Sequence, residues 1–490
     1  MPPCANDTAA QKLRGAFYTP DDVAAALVRW VVRRNSDRLL DPSCGNGQFL
    51  QFHSNAFGVE CDSEALTETA IRLPHVRVQS GDFFEWAGKT NARFECAAGN
   101  PPFIRYQHFK GEQRKRALRL CRQWGAEFTA LSSCWPLFLV GAARLLRPGG
   151  RMAFVVPAEI GHAPYTLPLL DYLRFRFSTV SVIAVKKKIF PTLSQDVWLL
   201  YASGAGGTTR FIDFHAWDEF AYRSTPPTSG TRLSLDELQK FGGRLRPFLL
   251  PEEMRELYLQ LKSSADVRRL GDFAKVGIGY VTGDNDFFHL SRKKAESWGI
   301  EDRYLMPTVR NGRMLPNNRL TRRQVSSWIE DDIECFLLRI RPEESLSKAV
   351  RSYLGSEQGQ KAQGTYKCRN RTPWYSVPDV KVPHAFLSYM STDCPKFTAN
   401  AAACACTNSI HSVRFAGGRP PINLSTVADN IVMAFSAEVE GHSLGGGMLK
   451  LEPREAGNLL FPSKKLRVTP SESALVREGI LRLRRWRHRG

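Results

Sequence analysis

The sequence lacks an apolar run long enough to cross a membrane, and residues 1–7 lack the basic stretch and apolar stretch of a secretory leader. Its eleven cysteines are an odd number without the spacing of a disulfide framework, which favours reduced thiols in the cytoplasm. Cys404 and Cys406, with Cys368 and His411 nearby, match no zinc-binding spacing. We therefore expect core or loop thiols, no bound metal and no membrane association.

Acidic residues are also scarce. The chain has 48 of them against 68 lysines and arginines, a formal charge of +20. A soluble protein with this much positive charge is expected to bind a polyanion, above all nucleic acid. The length of 490 residues and the hydrophobic content of 43% are sufficient for two or three domains with sizeable cores.

The most informative stretch is Asn100-Pro101-Pro102-Phe103, which follows a predicted buried strand over 94–99. Ligands of open α/β folds bind at such strand ends. Neither proline has a backbone N–H, so the loop is stiff and rich in acceptors. The Asn100 side-chain oxygen and the Pro101 carbonyl could together accept both hydrogens of one amino group, while Phe103 stacks on the plane that carries it.

Three earlier stretches predict a nucleotide-like ligand beside this loop. The segment 39–50 reads as a short strand, a loop with Gly45 and Gly47, and a helix that starts near Gln48. Glu60 ends the next predicted strand, about 20 residues after the first, where such folds hydrogen-bond a ribose. Asp82 and Phe83 follow the third strand and could bind an adenine amine and its ring face.

A helix is predicted from Pro20 onward, with Thr19 as its N-cap and two aspartates in its first turn. Later strands are predicted over 151–156, 180–185 and 197–201. Before the last of them lies Lys186-Lys187-Lys188-Ile189-Phe190-Pro191. The basic helical stretch 110–122 could lie on a solvated face or contact phosphate.

The chain resembles the gamma class of S-adenosylmethionine-dependent DNA amino-methyltransferases. The resemblance lies in the segments 15–20 and 41–50, the acidic strand ends and Asn100–Phe103, which follow one another in the order typical of that family. They are most similar to the adenine methyltransferases of bacterial type II restriction–modification systems. The resemblance implies a Rossmann-like class I methyltransferase sheet with helices on both faces, followed by an α+β target-recognition domain. It also implies S-adenosylmethionine as cofactor, double-stranded DNA as substrate, a bacterial or archaeal cytoplasm beside the nucleoid, and a possible cognate restriction endonuclease.

The resemblance also assigns roles to individual residues. It implies that Asn100, Pro101 and Phe103 are catalytic and that Phe190 is a second ring for stacking on the target base. The sequence around Phe190 is equally compatible with an ordinary phenylalanine in a hairpin. The family often has tyrosine at the position of Phe103. The cofactor-binding residues that the resemblance implies are Thr19, Asp41, Ser43, Gly45, Gly47, Glu60, Asp82 and Phe83.

Glycine-, serine- and proline-rich segments at 203–209 and 224–230 predict a domain boundary. We expect a catalytic domain over 1–235 and a DNA target-recognition domain over 245–490. Within the second domain, 366–375 mixes basic, aromatic and amide side chains, a combination that suits phosphate and base contacts. The predicted DNA-binding residues are Arg105, Arg369, Arg371, Trp374 and Tyr375. The basic C-terminal stretch 481–489 could bind DNA or be a frayed tail.

Several alternatives remain at this stage. The same chemistry would serve a cytosine amine, although asparagine at position 100, where serine would be the alternative, favours adenine. A glutamine amide of a protein factor is a second target, which the long basic C-terminal half disfavours. A non-catalytic DNA-binding subunit is a third possibility. The intact set of acidic strand ends, loop glycines and Asn100 argues against it.

Overall fold

The computed structural model describes residues 19–105, 107–190, 196–222, 230–418, 430–444, 447–463 and 465–487. The chain divides into two compact units, Met1–Leu249 and Leu250–Gly490. Some predicted features lie wholly or partly outside the described residues: 15–18 of the first motif, Pro191, 224–229 of the linker, and 488–489 of the tail. The domain limits 1–235 and 245–490 stay predictions.

The first unit is built on a nine-stranded sheet. Parallel pairing joins β3 to β2, β2 to β1, β1 to β4 and β4 to β5, and the strands beyond β5 pair mostly antiparallel in the order β7-β6-β8-β9. The strands are β1 (Leu39–Asp41), β2 (Ala56–Glu60), β3 (Arg77–Ser80), β4 (Phe94–Gly99), β5 (Leu146–Pro157), β6 (Phe177–Val185), β7 (Val197–Ala205), β8 (Phe211–Trp217) and β9 (Thr231–Ser234).

The strand order reverses between β1 and β4, which creates a crevice at their carboxyl ends. Both strands are buried almost throughout, as expected when helices cover both faces of a sheet. The helices are α1 (Asp21–Val31), α2 (Ser63–Arg72), α3 (Phe83–Lys89), α4 (Gly111–Gln123), α5 (Trp135–Leu145), α6 (Thr166–Arg174) and α7 (Leu235–Lys240). The predicted Rossmann-like class I methyltransferase fold is confirmed.

Two local predictions were wrong. Helix α1 begins at Asp21, and its N-cap is Pro20, with no side-chain capping bond. Thr19 therefore lies too early in the chain to cap the helix. The helix expected near Gln48 is a 3-10 turn at Leu50–Phe52, because the chain has only a few residues before β2 begins at Ala56.

The second unit is α+β, as predicted. Its strands form a five-stranded sheet in the order β11-β20-β16-β18-β14, a four-stranded sheet in the order β12-β15-β13-β19, and two smaller sheets, β17-β22-β21 and β10-β23. The strands are β10 (Val267–Arg269), β11 (Ala274–Ile278), β12 (His289–Leu290), β13 (Leu305–Val309), β14 (Arg319–Leu320), β15 (Phe336–Leu338), β16 (Ala385–Ser388), β17 (Met390–Ser391), β18 (Phe397–Asn400), β19 (Ala405–Cys406), β20 (Ile410–Phe415), β21 (His442–Leu444), β22 (Met448–Lys450) and β23 (Leu460–Pro462).

Helices and apolar clusters complete this unit. One cluster packs Met433 and Ala437 of α15 against the five-stranded sheet, and another surrounds Phe287 and Tyr353. The helices are α8 (Glu252–Ser263), α9 (Asn285–Phe288), α10 (Arg292–Ser297), α11 (Arg322–Glu330), α12 (Lys348–Leu354), α13 (Glu357–Gln363), α14 (Tyr366–Arg369), α15 (Ile431–Glu440), α16 (Pro453–Gly457) and α17 (Pro470–Arg485). No helix in the described parts of the chain has the length and apolar character needed to cross a membrane.

The C-terminal stretch is ordered helix up to Arg485, so the prediction of a frayed tail was wrong for the residues that the structure describes. Arg487 is completely buried. Its guanidinium donates to Glu438 at 2.7 Å and to the Gly447 carbonyl at 2.8 Å. This arginine stabilises the second unit and has no exposed surface with which to contact DNA.

Candidate active site

A cleft of about 620 Å³ opens at the carboxyl ends of β1, β2 and β4. It contains Asn100 and seven of the eight predicted cofactor-binding residues, and Gly47 alone does not line it. The predicted residues that line the cleft are Thr19, Asp41, Ser43, Gly45, Glu60, Asp82, Phe83 and Asn100. Segments about 80 residues apart in sequence therefore converge on one cavity.

Asp41 ends β1 at the centre of this cleft. Its Oδ1 accepts a hydrogen bond from the Ser43 backbone at 3.1 Å, whereas its buried Oδ2 has no partner among the described residues. Burial raises the pKa of this carboxyl to about 8. A Cβ on Gly99 would lie 2.7 Å from Asp41 Oδ1, so only glycine lets the end of β4 approach this closely. Asn100, the next residue, is thereby brought beside Asp41.

Glu60 fixes the glycine loop to the end of β2. Its Oε2 accepts from the Gly45 backbone at 2.9 Å, and its Oε1 accepts from the backbones of Cys61 and Asp62 at 2.8 and 2.9 Å. The loop can make this contact because Gly45 and Gly47 adopt positive φ angles of 54° and 83°. The carboxylate is thus held rigidly at the wall of the cleft.

Asp82 and Phe83 line the cleft next to Glu60, since the Gly81 backbone donates to the Glu60 carbonyl at 2.8 Å. Asp82 caps α3 through the Glu85 backbone at 2.8 Å and also accepts from the Gln113 amide at 2.6 Å. Phe83 is buried and stacks on Phe138, with ring centroids 5.4 Å apart. The wall therefore combines a carboxylate with two parallel aromatic rings, which suits a flat heterocycle that carries an amine.

Cys134 holds the loop that follows Asn100. Its thiol donates to the Pro102 carbonyl at 2.7 Å, and its backbone N–H donates to the Ile104 carbonyl at 3.1 Å. The side chain is fully buried, and burial raises the pKa of the thiol to about 12, so it stays a protonated donor at neutral pH. Two carbonyls of the proline loop are thus fixed from one residue at the start of α5.

The two predicted stacking rings belong to one apolar cluster. Phe190 is only 5% exposed and is part of the core between α1 and the sheet. Phe103 is partly buried and packs against the same core. In this conformation Phe190 therefore presents almost no ring face to a base, and its role in stacking stays a prediction.

The predicted DNA-binding residues have diverse surroundings. Arg371 donates to the Val281 and Thr282 carbonyls at 2.5 Å each. Trp374 and Tyr375 are partly buried against the cluster around Phe287. These three side chains thus make contacts within the second unit, and their role in DNA binding stays a prediction. Arg105 and Arg369 are exposed.

Comparison with known proteins decides the family. Residues 5–161 match the family described as N-6 DNA Methylase, and residues 243–483 match the C-terminal domain of the type II methyltransferase M.Eco57I. The chain belongs to the type II DNA N6-adenine methyltransferases. It is 21% identical to the type II methyltransferase M.AccI of Acinetobacter calcoaceticus, over 81% of this chain and 75% of that protein.

Other similarities extend along most of the chain. The type II methyltransferase M.XamI of Xanthomonas campestris pv. amaranthicola is 24% identical, over 92% of this chain and 85% of that protein. A solved structure described as a DrdV–DNA complex aligns with a TM-score of 0.50 and 12% identity. This alignment covers 84% of the present chain but only 50% of the other, and it shows a shared fold.

The type II DNA N6-adenine methyltransferases take their methyl group from S-adenosylmethionine, and the cleft fits that cofactor. Asp41 Oδ2, Thr19 Oγ1 and Ser43 Oγ are buried and make no hydrogen bond within the described residues. Such atoms are rare in folded proteins unless a ligand or water satisfies them. S-adenosylmethionine has an ammonium group, ribose hydroxyls and an adenine amine that could donate to acceptors in this cleft.

Sequence reasoning missed three residues of this methyltransferase site. Gln48 donates to the Thr19 carbonyl at 2.8 Å and so ties the glycine loop to the start of α1. Gln113 and Cys134 also line the cleft. Gln48 stood inside a recognised motif, but nothing in the local sequence marks the other two, because their partners lie about 30 residues away.

Proposed function

We propose that this chain transfers a methyl group from S-adenosylmethionine to the exocyclic amine of an adenine flipped out of a specific site in duplex DNA. The observation that carries the proposal is the close approach of Gly99 to Asp41, which places the Asn100 loop at the edge of the cofactor cleft. An amine acceptor loop next to a cofactor cleft is the arrangement that direct methyl transfer requires.

In this mechanism the chain positions and polarises the amine. Asn100 and the Pro101 carbonyl accept its two N–H groups, which draws the nitrogen towards tetrahedral geometry and aims its lone pair at the reacting methyl. Phe103 stacks on the flipped base and offsets part of the cost of a few kcal/mol for extrusion. S-adenosylmethionine supplies the electrophilic methyl on its sulfonium. No cysteine acts as nucleophile.

The cofactor roles follow from the walls of the cleft. Asp41, Ser43 and Thr19 take the amino-acid end, Glu60 takes the ribose, and Asp82 with Phe83 takes the adenine. The residues 1–235 carry catalysis in this proposal, and 245–490 recognise the DNA site. The enzyme acts in the cytoplasm of a bacterial or archaeal cell, beside the nucleoid, where a cognate restriction endonuclease would cut the unmethylated site.

Cofactor affinity should rise with pH. Asp41 is mostly protonated below its raised pKa of about 8, and only the carboxylate form attracts an ammonium group. The ionised fraction grows about tenfold per pH unit well below the pKa, so we expect the affinity for S-adenosylmethionine to rise severalfold to tenfold from pH 6 to pH 7 and to level off above pH 8. Titration calorimetry between pH 6 and pH 9 would measure the affinity for S-adenosylmethionine.

The control is Asp41→Asn, which should bind the cofactor weakly and with little change between pH 6 and 8. S-adenosylhomocysteine should follow the same pH profile, because it keeps the same amino-acid end. A flat profile for the native protein would contradict a role of the Asp41 carboxylate in holding the ammonium group.

Cys134 should act as a positioning residue for catalysis. Cys134→Ala removes the donor to Pro102 and leaves the proline loop less fixed, so we expect single-turnover methyl transfer to slow by roughly tenfold to a hundredfold. Cys134→Ser keeps a donor and should retain most of the rate. Cofactor affinity should change little in either variant, because the thiol contacts the loop carbonyl.

Thermal unfolding of both Cys134 variants provides the control for stability. Equal rates for the alanine and serine variants would show that the thiol fills space and does not position the loop.

Sequencing of methylated positions in DNA from cells that express the protein tests the function directly. N6-methyladenine at one recurring sequence is the expected result. N4-methylcytosine would instead favour the cytosine alternative, and unmethylated DNA together with methylated glutamine in a protein factor would reject the DNA substrate.

A further inference from the structure

The second unit contains a cleft of about 640 Å³. Its floor is the antiparallel pair of β11 and β20, and its wall is the segment 366–381. The cleft lies entirely within the second unit, and the residues of its floor have had no role so far.

Two cations stand side by side on this floor. Lys275 of β11 and Arg414 of β20 are directly opposite each other in the pair and both line the cleft. Like charges in such a position destabilise a sheet. Neither side chain forms an ion pair with a described residue. An anion between them would remove this repulsion.

The wall adds further positive charge. Lys367 lines the cleft, and among the described lining residues Asp379 alone is acidic. Asp379 Oδ1 lies 3.6 Å from Lys381 Nζ, so this carboxylate balances the charge of Lys381 and not that of Lys275, Lys367 or Arg414. The floor therefore keeps its excess positive charge and selects for a negatively charged ligand.

Gly277 lies on the same face of β11 as Lys275 and leaves the floor beside the two cations bare. A Cβ at this position would meet no atom within 4 Å, and the glycine does not have a left-handed φ. Neither packing nor backbone conformation requires glycine here, and glycine inside a strand costs stability. Where the strand register is regular, as here, such a glycine can mark a site that a ligand approaches closely. Ser412, opposite Gly277, adds a hydroxyl donor.

The wall is tied to the floor and also presents an exposed aromatic ring. The Arg371 guanidinium donates to the Val281 and Thr282 carbonyls, which ties the wall to the segment just after β11. Tyr366, also in the wall, is 70% exposed. The geometry of the cleft is thus held by the chain itself.

We propose that this cleft binds the sugar–phosphate backbone of one DNA strand, with phosphate between Lys275 and Arg414 over Gly277. The proposal rests on the proposed function, which makes DNA the substrate. Two opposed cations over a bare floor match the charge of a phosphodiester, and contacts to phosphate carry no sequence information. The cleft therefore contributes affinity to every DNA sequence and does not select among them.

The double variant Lys275→Gln/Arg414→Gln tests this assignment. Binding to duplexes with and without the methylated site should weaken about equally, by roughly tenfold or more at low salt. The slope of log affinity against log salt should become shallower by about 0.9, because the variant no longer neutralises the one phosphate between the two cations. Cofactor affinity should be unchanged, because none of the cofactor-cleft residues is altered.

Lys348→Gln/Lys361→Gln is the matched control, because it removes two exposed lysines from α12 and α13, outside the cleft. Gly277→Val should also weaken DNA binding, by filling the floor. Its control is Gly417→Val, at an exposed glycine whose added Cβ would likewise meet no atom within 4 Å. Equal losses in the control and test variants would overturn the proposal.

A loss confined to the specific site would also overturn it, because that result would assign the cleft to base reading. Failure of the proposed function has a different signature. In that case the native protein itself would neither bind nor methylate DNA. If the native protein methylates DNA and the cleft variants bind DNA as tightly as it does, only the assignment of the cleft is rejected.

Discussion

Asn100→Ala is expected to slow single-turnover methyl transfer by about a hundredfold to a thousandfold. The substitution removes one acceptor for the target amine but leaves both prolines and Phe103 in place. The missing hydrogen bond matters most as the amine gains positive charge in the transition state, so the rate should suffer more than binding. Rapid-quench measurements with enzyme in excess of DNA would give this rate.

Cofactor and DNA affinities measured on the same preparation complete the test. Both should stay within a few fold of the native values. Asn55→Ala is a suitable control, because it removes an exposed amide of the first unit that lies outside the cleft. Near-normal transfer by Asn100→Ala would refute the mechanism, and a large loss of cofactor affinity would move Asn100 to a structural role.

The sequence could predict this part of the site because its signals are local. Asp41, Glu60, Asp82 and Asn100 each follow or end a short predicted strand, and parallel strands deliver their carboxyl ends to one edge of a sheet. Once the strands were recognised, the convergence of these residues followed without knowledge of any side-chain contact. The cleft in the structure is lined by all four of these residues.

The remaining features depend on pairing between distant segments. Lys275 and Arg414 are far apart in sequence, and only the register of β11 on β20 makes them neighbours. Arg371 illustrates the converse: a basic–aromatic composition suggested a DNA contact, but the guanidinium is used by nearby carbonyls. Composition gives the sign of a surface charge, whereas register and packing decide which charges face a ligand.

Arg487 provides the second prediction, which concerns stability. Its guanidinium and that of Arg484 both donate to Glu438 Oε1, at 2.7 and 3.0 Å, and Glu438 is only 1% exposed. Glu438→Leu would leave the completely buried Arg487 charge without its carboxylate. Loss of one partner of such a pair typically costs about 3–5 kcal/mol, so we expect the second unit to become less stable by that amount.

Hydrogen exchange of the α15 and α17 amides would measure this loss. Helix α15 carries Glu438, helix α17 carries Arg484, and Arg487 lies two residues beyond the end of α17. Glu478→Leu is the matched control, because Glu478 pairs with Arg482 on the exposed side of α17 at 2.9 Å, and such surface pairs contribute less than about 1 kcal/mol. The double variant Glu438→Leu/Arg487→Met should recover most of the stability, because the buried guanidinium is gone together with its carboxylate. If the double variant were as unstable as Glu438→Leu, the effect would come from packing and not from the buried guanidinium.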